Sequence, residues 1–268
     1  MKIIRIAFKT PAVNIIYKVL KGRDMHMTGI NRMLSFVFTV VFAVMIFSSL
    51  NEYEKDYIQI PDGSLKDILI VIDPGHGGVD GGASLDEHFN EKDINLDISL
   101  KLKRLLINDG ARVVLTRESD VSLEKRSELQ LSRYKRDLDG RRRIINESKA
   151  DIFVSIHSNC FRSSPQTKGA LIFYYSDSVK GKKLAQFISN SIDEILYRNF
   201  LGNYKLASKV LTKDLYILRN TEIPGVLVEV GYMTNREEGR LLRQDDFQAA
   251  MAGAIHDGLK KYFLMDIN

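Results

Sequence analysis

The sequence predicts an α/β chain with a mostly parallel sheet, preceded by a membrane-spanning helix, and three observations carry that expectation. Short apolar runs at residues 68–72, 152–156 and 226–230 alternate with segments of helical periodicity, the pattern of βαβ units. Two of these runs deliver a histidine at the carboxyl end: Asp73-Pro74-Gly75-His76-Gly77-Gly78 follows the first, and Ser155-Ile156-His157-Ser158-Asn159 closes the second. Loops at the carboxyl ends of parallel strands converge on one edge of a sheet, so side chains far apart in sequence can meet there. The third observation is the stretch 33–50, which contains no charged residue.

As a helix, residues 33–50 would rise about 27 Å, close to the hydrocarbon thickness of a bilayer. Lys2, Arg5, Lys9, Lys18, Lys21, Arg23 and Arg32 precede it against Asp24 alone, a balance that keeps the amino end in the cytoplasm and sends the rest outward. Ser48-Ser49-Leu50-Asn51 offers no clear small-x-small cleavage site, which favours an uncleaved anchor over a signal peptide. A buried amphipathic helix would show polar residues at helical period, and this run has only Ser and Thr. The expected organisation is a basic cytoplasmic segment 1–32, a signal anchor 33–50, a polar linker 51–66 and an extracytoplasmic domain 67–268.

Within that domain, residues 68–72 form the first strand, and Ile94, Ile98, Leu102, Leu105 and Leu106 mark one face of a helix. Asn108-Asp109-Gly110 stops it, glycine suiting a left-handed cap. Residues 113–115 read as a short strand. The charge-dense stretch 118–148 contains Asp139-Gly140 and is expected as a loop or broken helix followed by a helix ending near Lys149. Strands at 152–156 and 170–175, a helix at 179–197, a short extra strand at 215–218, a strand at 226–230 and helices near 237–242 and 247–263 complete the order. No internal repeat, low-complexity tract or second domain is evident.

The single cysteine, Cys160, excludes an intramolecular disulfide, so an exported domain of some 200 residues must be held by its core. The net charge of +5 comes largely from the anchor flank and from residues 125–143. Outside a membrane, nucleic acid is a poor partner for that stretch. An anionic polymer or lipid surface fits better, and a solvated helix face pairing with Glu124, Glu128, Asp137 and Asp139 fits best.

His76 and His157 suggest a zinc centre, but a hydrolytic zinc keeps three protein ligands and one open position. Glu91, His88, Cys160 and Glu229 compete for the third place. Glu91 opens the helix after the His76 loop, at the same sheet edge, although an acid there is often a partner for the helix amino terminus. His88 sits among polar residues of a loop, where a surface histidine is ordinary. Cys160, three residues after His157, has a compatible spacing, yet a small hydrophobe packed under the loop is commoner. His26 and His256 read as structural or surface residues. Glu229 stands in the apolar Val226-Leu227-Val228-Glu229-Val230, where an unpaired charge is costly. A structural ion pair with an arginine would explain it; a base beside the metal explains it better, because burial keeps its proton affinity high.

Together these segments resemble the zinc-dependent N-acetylmuramoyl-L-alanine amidase family. The match runs from Ile68 to Phe263 and rests on residues 72–83, Glu91-Lys92-Asp93, Leu115-Thr116-Arg117-Glu118-Ser119-Asp120, 155–159 and Val228-Glu229-Val230-Gly231-Tyr232-Met233-Thr234-Asn235. The resemblance implies a twisted, mostly parallel sheet flanked by helices. It makes His76, Glu91 and His157 the ligands of one Zn2+ and Glu229 the catalytic acid/base, with Asn159 a candidate for binding substrate. Cys160 departs from the small residue usual there. The implied reaction is hydrolysis of the amide between the lactyl group of muramic acid and L-alanine of the peptidoglycan stem peptide.

Within the family, the short anchor and single bare domain resemble the spore-cortex type, which prepares cortex peptidoglycan for muramic lactam formation. That places the domain in the cell wall or the forespore intermembrane space. A vegetative autolysin, an inactive membrane-tethered peptidoglycan-binding protein and a zinc peptidase cutting within the stem are the alternatives. The expected partners are peptidoglycan and, through the anchor, the membrane; nucleic acid is excluded, and a protein partner is left open.

Overall fold

The computed structural model describes residues 63–86 and 89–266. The expected anchor at 33–50, most of the linker, His26 and His88 lie outside the described residues. Among those described, no helix is long and apolar enough to cross a membrane.

The β-branched run Leu69–Pro74 forms β1, buried on both faces beyond its first residue. Around it assembles a six-stranded sheet from β4 (Arg112–Leu115), β5 (Ile152–Asn159), β6 (Leu171–Tyr174), β7 (Lys209–Thr212) and β8 (Gly225–Tyr232), in the order β4-β1-β5-β8-β6-β7. Every neighbouring pair is parallel except β8 and β6. The sheet expected to be mostly parallel is mixed, parallel in every pair but one, with β6 and β7 reversed at one side. A separate hairpin pairs β2 (Ser84–Asp86) with β3 (Phe89–Asn90).

Helices cover both faces. On one, Ile70, Ile72, Val154, Ile156, Val226 and Val228 pack against α1 (Glu91–Asn108), α3 (Val179–Ser191) and the long α6 (Asp245–Asp266). On the other, Val71, Phe153, Phe173 and Leu227 meet Ile145 of α2 (Arg133–Ser148) and Ile217 and Leu218 of α4 (Tyr216–Arg219). The short α5 (Arg236–Leu241) lies between β8 and α6. The expected glycine cap of α1 is present, with Gly110 at φ 88°.

Three expectations are corrected. The short strand expected at 215–218 is helix α4; the sixth strand is instead β7, just upstream. The helix starting at Val179 changes to π-helical geometry over Ile192–Phe200 rather than ending near Tyr197. Asp139-Gly140 does not break the helix but lies inside α2, whose end falls at Lys149 in left-handed conformation. Gly140 serves close packing there, because a Cβ on it would sit 2.3 Å from the carbonyl oxygen of Leu123. Gly140→Ala should therefore destabilise the fold by about 1–3 kcal/mol through overpacking, outweighing the ~1 kcal/mol that alanine gains in helix propensity. Thermal unfolding checks this, and a raised Tm would refute it.

The stretch 125–143 is only in part a solvated helix face. Arg142 pairs with Asp139 at 2.8 Å and Arg143 with Glu128 at 3.1 Å, as a surface face would. Asp137, Asp139 and Arg141, however, are buried. Asp137 and Arg141 belong to the site.

Candidate metal centre

The loop after β1 turns sharply, with His76 at φ 61° and reciprocal backbone bonds between Gly77 and Asp80. That turn brings Asp80 back to the imidazole it follows, Oδ2 lying 2.9 Å from Nδ1 of His76. Nε2 of His76 is thereby aimed at Glu91, 3.1 Å from its Oε1. The same Oε1 lies 2.9 Å from Nδ1 of His157 at the end of β5. One potential ligand atom from each of the three residues falls within 4.8 Å of the other two.

Glu91 is the first residue of α1, but its carboxylate does not serve that helix's amino terminus. Oε2 accepts the Ala83 N–H at 2.9 Å, and Oε1 accepts that of Ser158 at 3.2 Å. Burial would raise its proton affinity, yet hydrogen bonds from His157 and His76 hold the carboxyl well below the usual range. Burial likewise opposes charge on His76, and Asp80 and Glu91 raise that imidazole to about 9. The cluster is thus built to stabilise positive charge. Two imidazoles and a carboxylate, one imidazole oriented from behind by a second carboxylate, form a donor set that fits Zn2+. Cys160 is a half-buried free thiol and is not part of the cluster. His256 lies 2.7 Å from Asp109 instead.

Close approach makes Gly75 part of the site, since a Cβ on it would fall 2.3 Å from the His157 ring. The loop's carbonyls are held by two buried arginines. Arg117 donates to the oxygens of Pro74 and Gly75 at 3.0 and 2.9 Å. Arg141 donates to those of Pro74 and His76 while pairing with Asp73 and Asp137, each at 2.7 Å. Asp73 is fully satisfied by Arg141 together with the hydroxyls of Thr116 and Ser155. Sequence reading missed Arg117, Arg141 and Asp80. Asp80 offered a signal, an acid four residues after His76 in the same glycine-rich loop; Arg117 and Arg141 offered none that sets them apart from the charges around them.

Glu229 sits on β8 directly opposite His157 on β5. Its Oε2 is buried without a hydrogen-bond partner, and burial raises the carboxyl's proton affinity. Among the described residues no arginine pairs with it, so the structural ion pair that could have explained this acid is not found there. His76, His157, Glu229, Tyr134, Lys213 and Leu227 are among the residues lining a cavity of about 230 Å³ on the α2 side of the sheet. Asn159 does not line it; its carbonyl accepts the Met233 N–H at 2.8 Å.

A half-buried His-Glu-His cluster at the carboxyl ends of parallel strands, with a glutamate of buried Oε2 lining the same cavity, defines a hydrolase of the metal-dependent type. The Amidase_3 family model, N-acetylmuramoyl-L-alanine amidase, matches residues 70–261, and the chain belongs to that family. It is similar to the germination-specific N-acetylmuramoyl-L-alanine amidase of Bacillus subtilis, 36% identical over 196 residues that span 73% of this chain and 79% of the relative. Among solved structures it is similar to the CwlD amidase of Clostridioides difficile in complex with the GerS lipoprotein, at TM-score 0.65 and 36% identity over 75% of this chain and all of that one. The amidase AmiC2 of Nostoc punctiforme follows at TM-score 0.61 and 34% identity, covering 74% of this chain and 97% of its own. The protein is an N-acetylmuramoyl-L-alanine amidase acting on peptidoglycan.

Proposed function

We propose that the chain is a zinc enzyme that hydrolyses the lactyl–L-alanine amide of spore-cortex peptidoglycan, with His76, Glu91 and His157 as metal ligands and Glu229 as acid/base. The observation that carries the chemistry is the buried, unpartnered Oε2 of Glu229 across from His157. A bound zinc would polarise the lactyl carbonyl and lower the proton affinity of a water ligand. Glu229 accepts the proton of the attacking water and returns it to the departing nitrogen, so the C–N bond breaks as the new C–O bond is retained. Asp80 fixes the tautomer and orientation of His76, and Arg117 and Arg141 hold the loop that presents it. The products are muramic acid with a free lactyl carboxylate and a stem peptide with a free L-alanine amine.

The cortex assignment is supported by the germination-specific relative in Bacillus subtilis and by the likeness to the CwlD amidase. That the latter is complexed with a lipoprotein supports a protein partner for this chain also. The uncharged run at 33–50 would tether the domain outside the cytoplasm. Full-length protein should then fractionate with membranes, whereas a soluble mature chain beginning near Asn51 would show the run to be a signal peptide.

Mass analysis of digested peptidoglycan tests the reaction itself. Cortex peptidoglycan should yield free peptide beginning with L-alanine and glycan bearing unsubstituted muramic acid. Release only from vegetative wall would move the enzyme to autolysis. Cleavage within the stem would make it a peptidase, and zinc-loaded protein that binds but releases nothing would make it a binding protein.

A further inference from the structure

The cavity beside Glu229 holds a cation that the proposed chemistry does not use. Lys213, just after β7, lines it together with His76, His157 and Glu229. Its Nζ lies 4.8 Å from the ring centre of Phe173, which faces Leu227 across the β6–β8 pair. The ammonium thus rests over an aromatic face on the same side of the sheet as Glu229. Arg141, the other cation lining this space, is already committed to Asp73, Asp137 and loop carbonyls. The neighbouring Asp214 is taken by Arg219 at 2.9 Å. Among the described residues, no carboxylate or hydrogen-bond acceptor engages the Lys213 ammonium. Its three donors are therefore available to a substrate in the cavity that this exposed residue lines.

We infer that Lys213 is a specificity-determining residue that binds the first free carboxylate of the stem peptide beyond the scissile amide; this rests on the amidase reading above. The chemistry of the substrate fixes which end it meets. The glycan is neutral, because N-acetylated sugars carry no charge and the lactyl carboxyl is tied up in the amide, so the substrate's negative charges lie on the peptide. Glu229 delivers its proton to the nitrogen that becomes the peptide's amino end. The side of the cavity shared by Glu229 and Lys213 is therefore the peptide side. Lys213 and Glu229 line the same cavity. After L-alanine, a D-glutamate joined through its side chain presents its α-carboxylate, whereas D-isoglutamine presents a neutral amide. A charge-assisted hydrogen bond distinguishes them.

The test compares full-length, zinc-loaded wild type, Lys213→Met and Lys213→Arg on peptidoglycan whose second stem residue is D-glutamate or D-isoglutamine, with released peptide quantified by mass spectrometry. Wild type is expected to favour the free acid by roughly tenfold in kcat/KM, the worth of one exposed charge-assisted bond. Lys213→Met should erase that preference by raising KM for the acid alone, with kcat and the pH profile kept, and Lys213→Arg should restore it. Equal losses on both substrates with a shifted acid limb would overturn the inference, making Lys213 a residue that acts through Glu229. A wild type without preference would overturn it too. Hydrolysis of neither substrate by the wild type would overturn the amidase reading beneath it, and the role of Lys213 with it.

Discussion

Glu229→Gln is expected to leave the metal bound while lowering turnover a hundredfold to ten-thousandfold, the range for removing a positioned acid/base. The substitution keeps the shape of the side chain on β8 and removes the ability to take a proton. Relief is expected elsewhere: the wild-type carboxyl sits with Oε2 buried and unpartnered, so a neutral amide costs less desolvation and the variant should be no less stable. Turnover, zinc content and Tm measured together test this. Wild-type turnover in Glu229→Gln would remove Glu229 from the chemistry, and lost metal would make it a ligand instead.

His76→Ala and His157→Ala should each abolish both metal retention and activity. Either change leaves one imidazole and Glu91, fewer protein ligands than a catalytic zinc keeps. The loss should be greater than for any surrounding residue, because the remaining donors are not redundant: Glu91 Oε1 is the common neighbour of both rings. Zinc analysis after gel filtration gives the readout, and undiminished zinc in both variants would sink the ligand assignment. Cys160→Ala, whose thiol lies outside the cluster, should retain the metal in the same assay; its loss there would promote the thiolate to ligand.

The site was legible in sequence to the extent that it rides on buried strands. The runs that became β1, β5 and β8 announce themselves as short apolar segments rich in β-branched residues, and His76, His157 and Glu229 are placed by those runs alone. Glu91 was only favoured from the residues, since an acid opening a helix has an ordinary explanation; the geometry shows instead a carboxylate turned away from its helix toward two rings. The reversed half of the sheet was harder. β7 is Lys-Val-Leu-Thr on an edge, mostly exposed, so it has neither a continuous apolar run nor clean alternation. Leu215 to Leu218 is more apolar, yet its Ile217 and Leu218 fill the space between sheet and α2 as a single helical turn. Asp139-Gly140 carries a local turn signal that tertiary packing overrides, because the chain needs a residue without Cβ against Leu123. Arg141 and Arg117 could not be told from surface charges by composition; only their burial against backbone carbonyls separates them.

The grip of those two arginines on the His76 loop ties two distant stretches of chain into one unit of local unfolding. For the loop to open, Arg141 must leave its carbonyls, and it cannot do so without exposing Asp73 and Asp137 or lifting α2 from the sheet. Metal release by spontaneous fraying of the loop is thereby made as rare as detachment of a whole helix. Amide protons of residues 75–78 should accordingly exchange with solvent in step with those of α2 rather than with those of neighbouring surface loops.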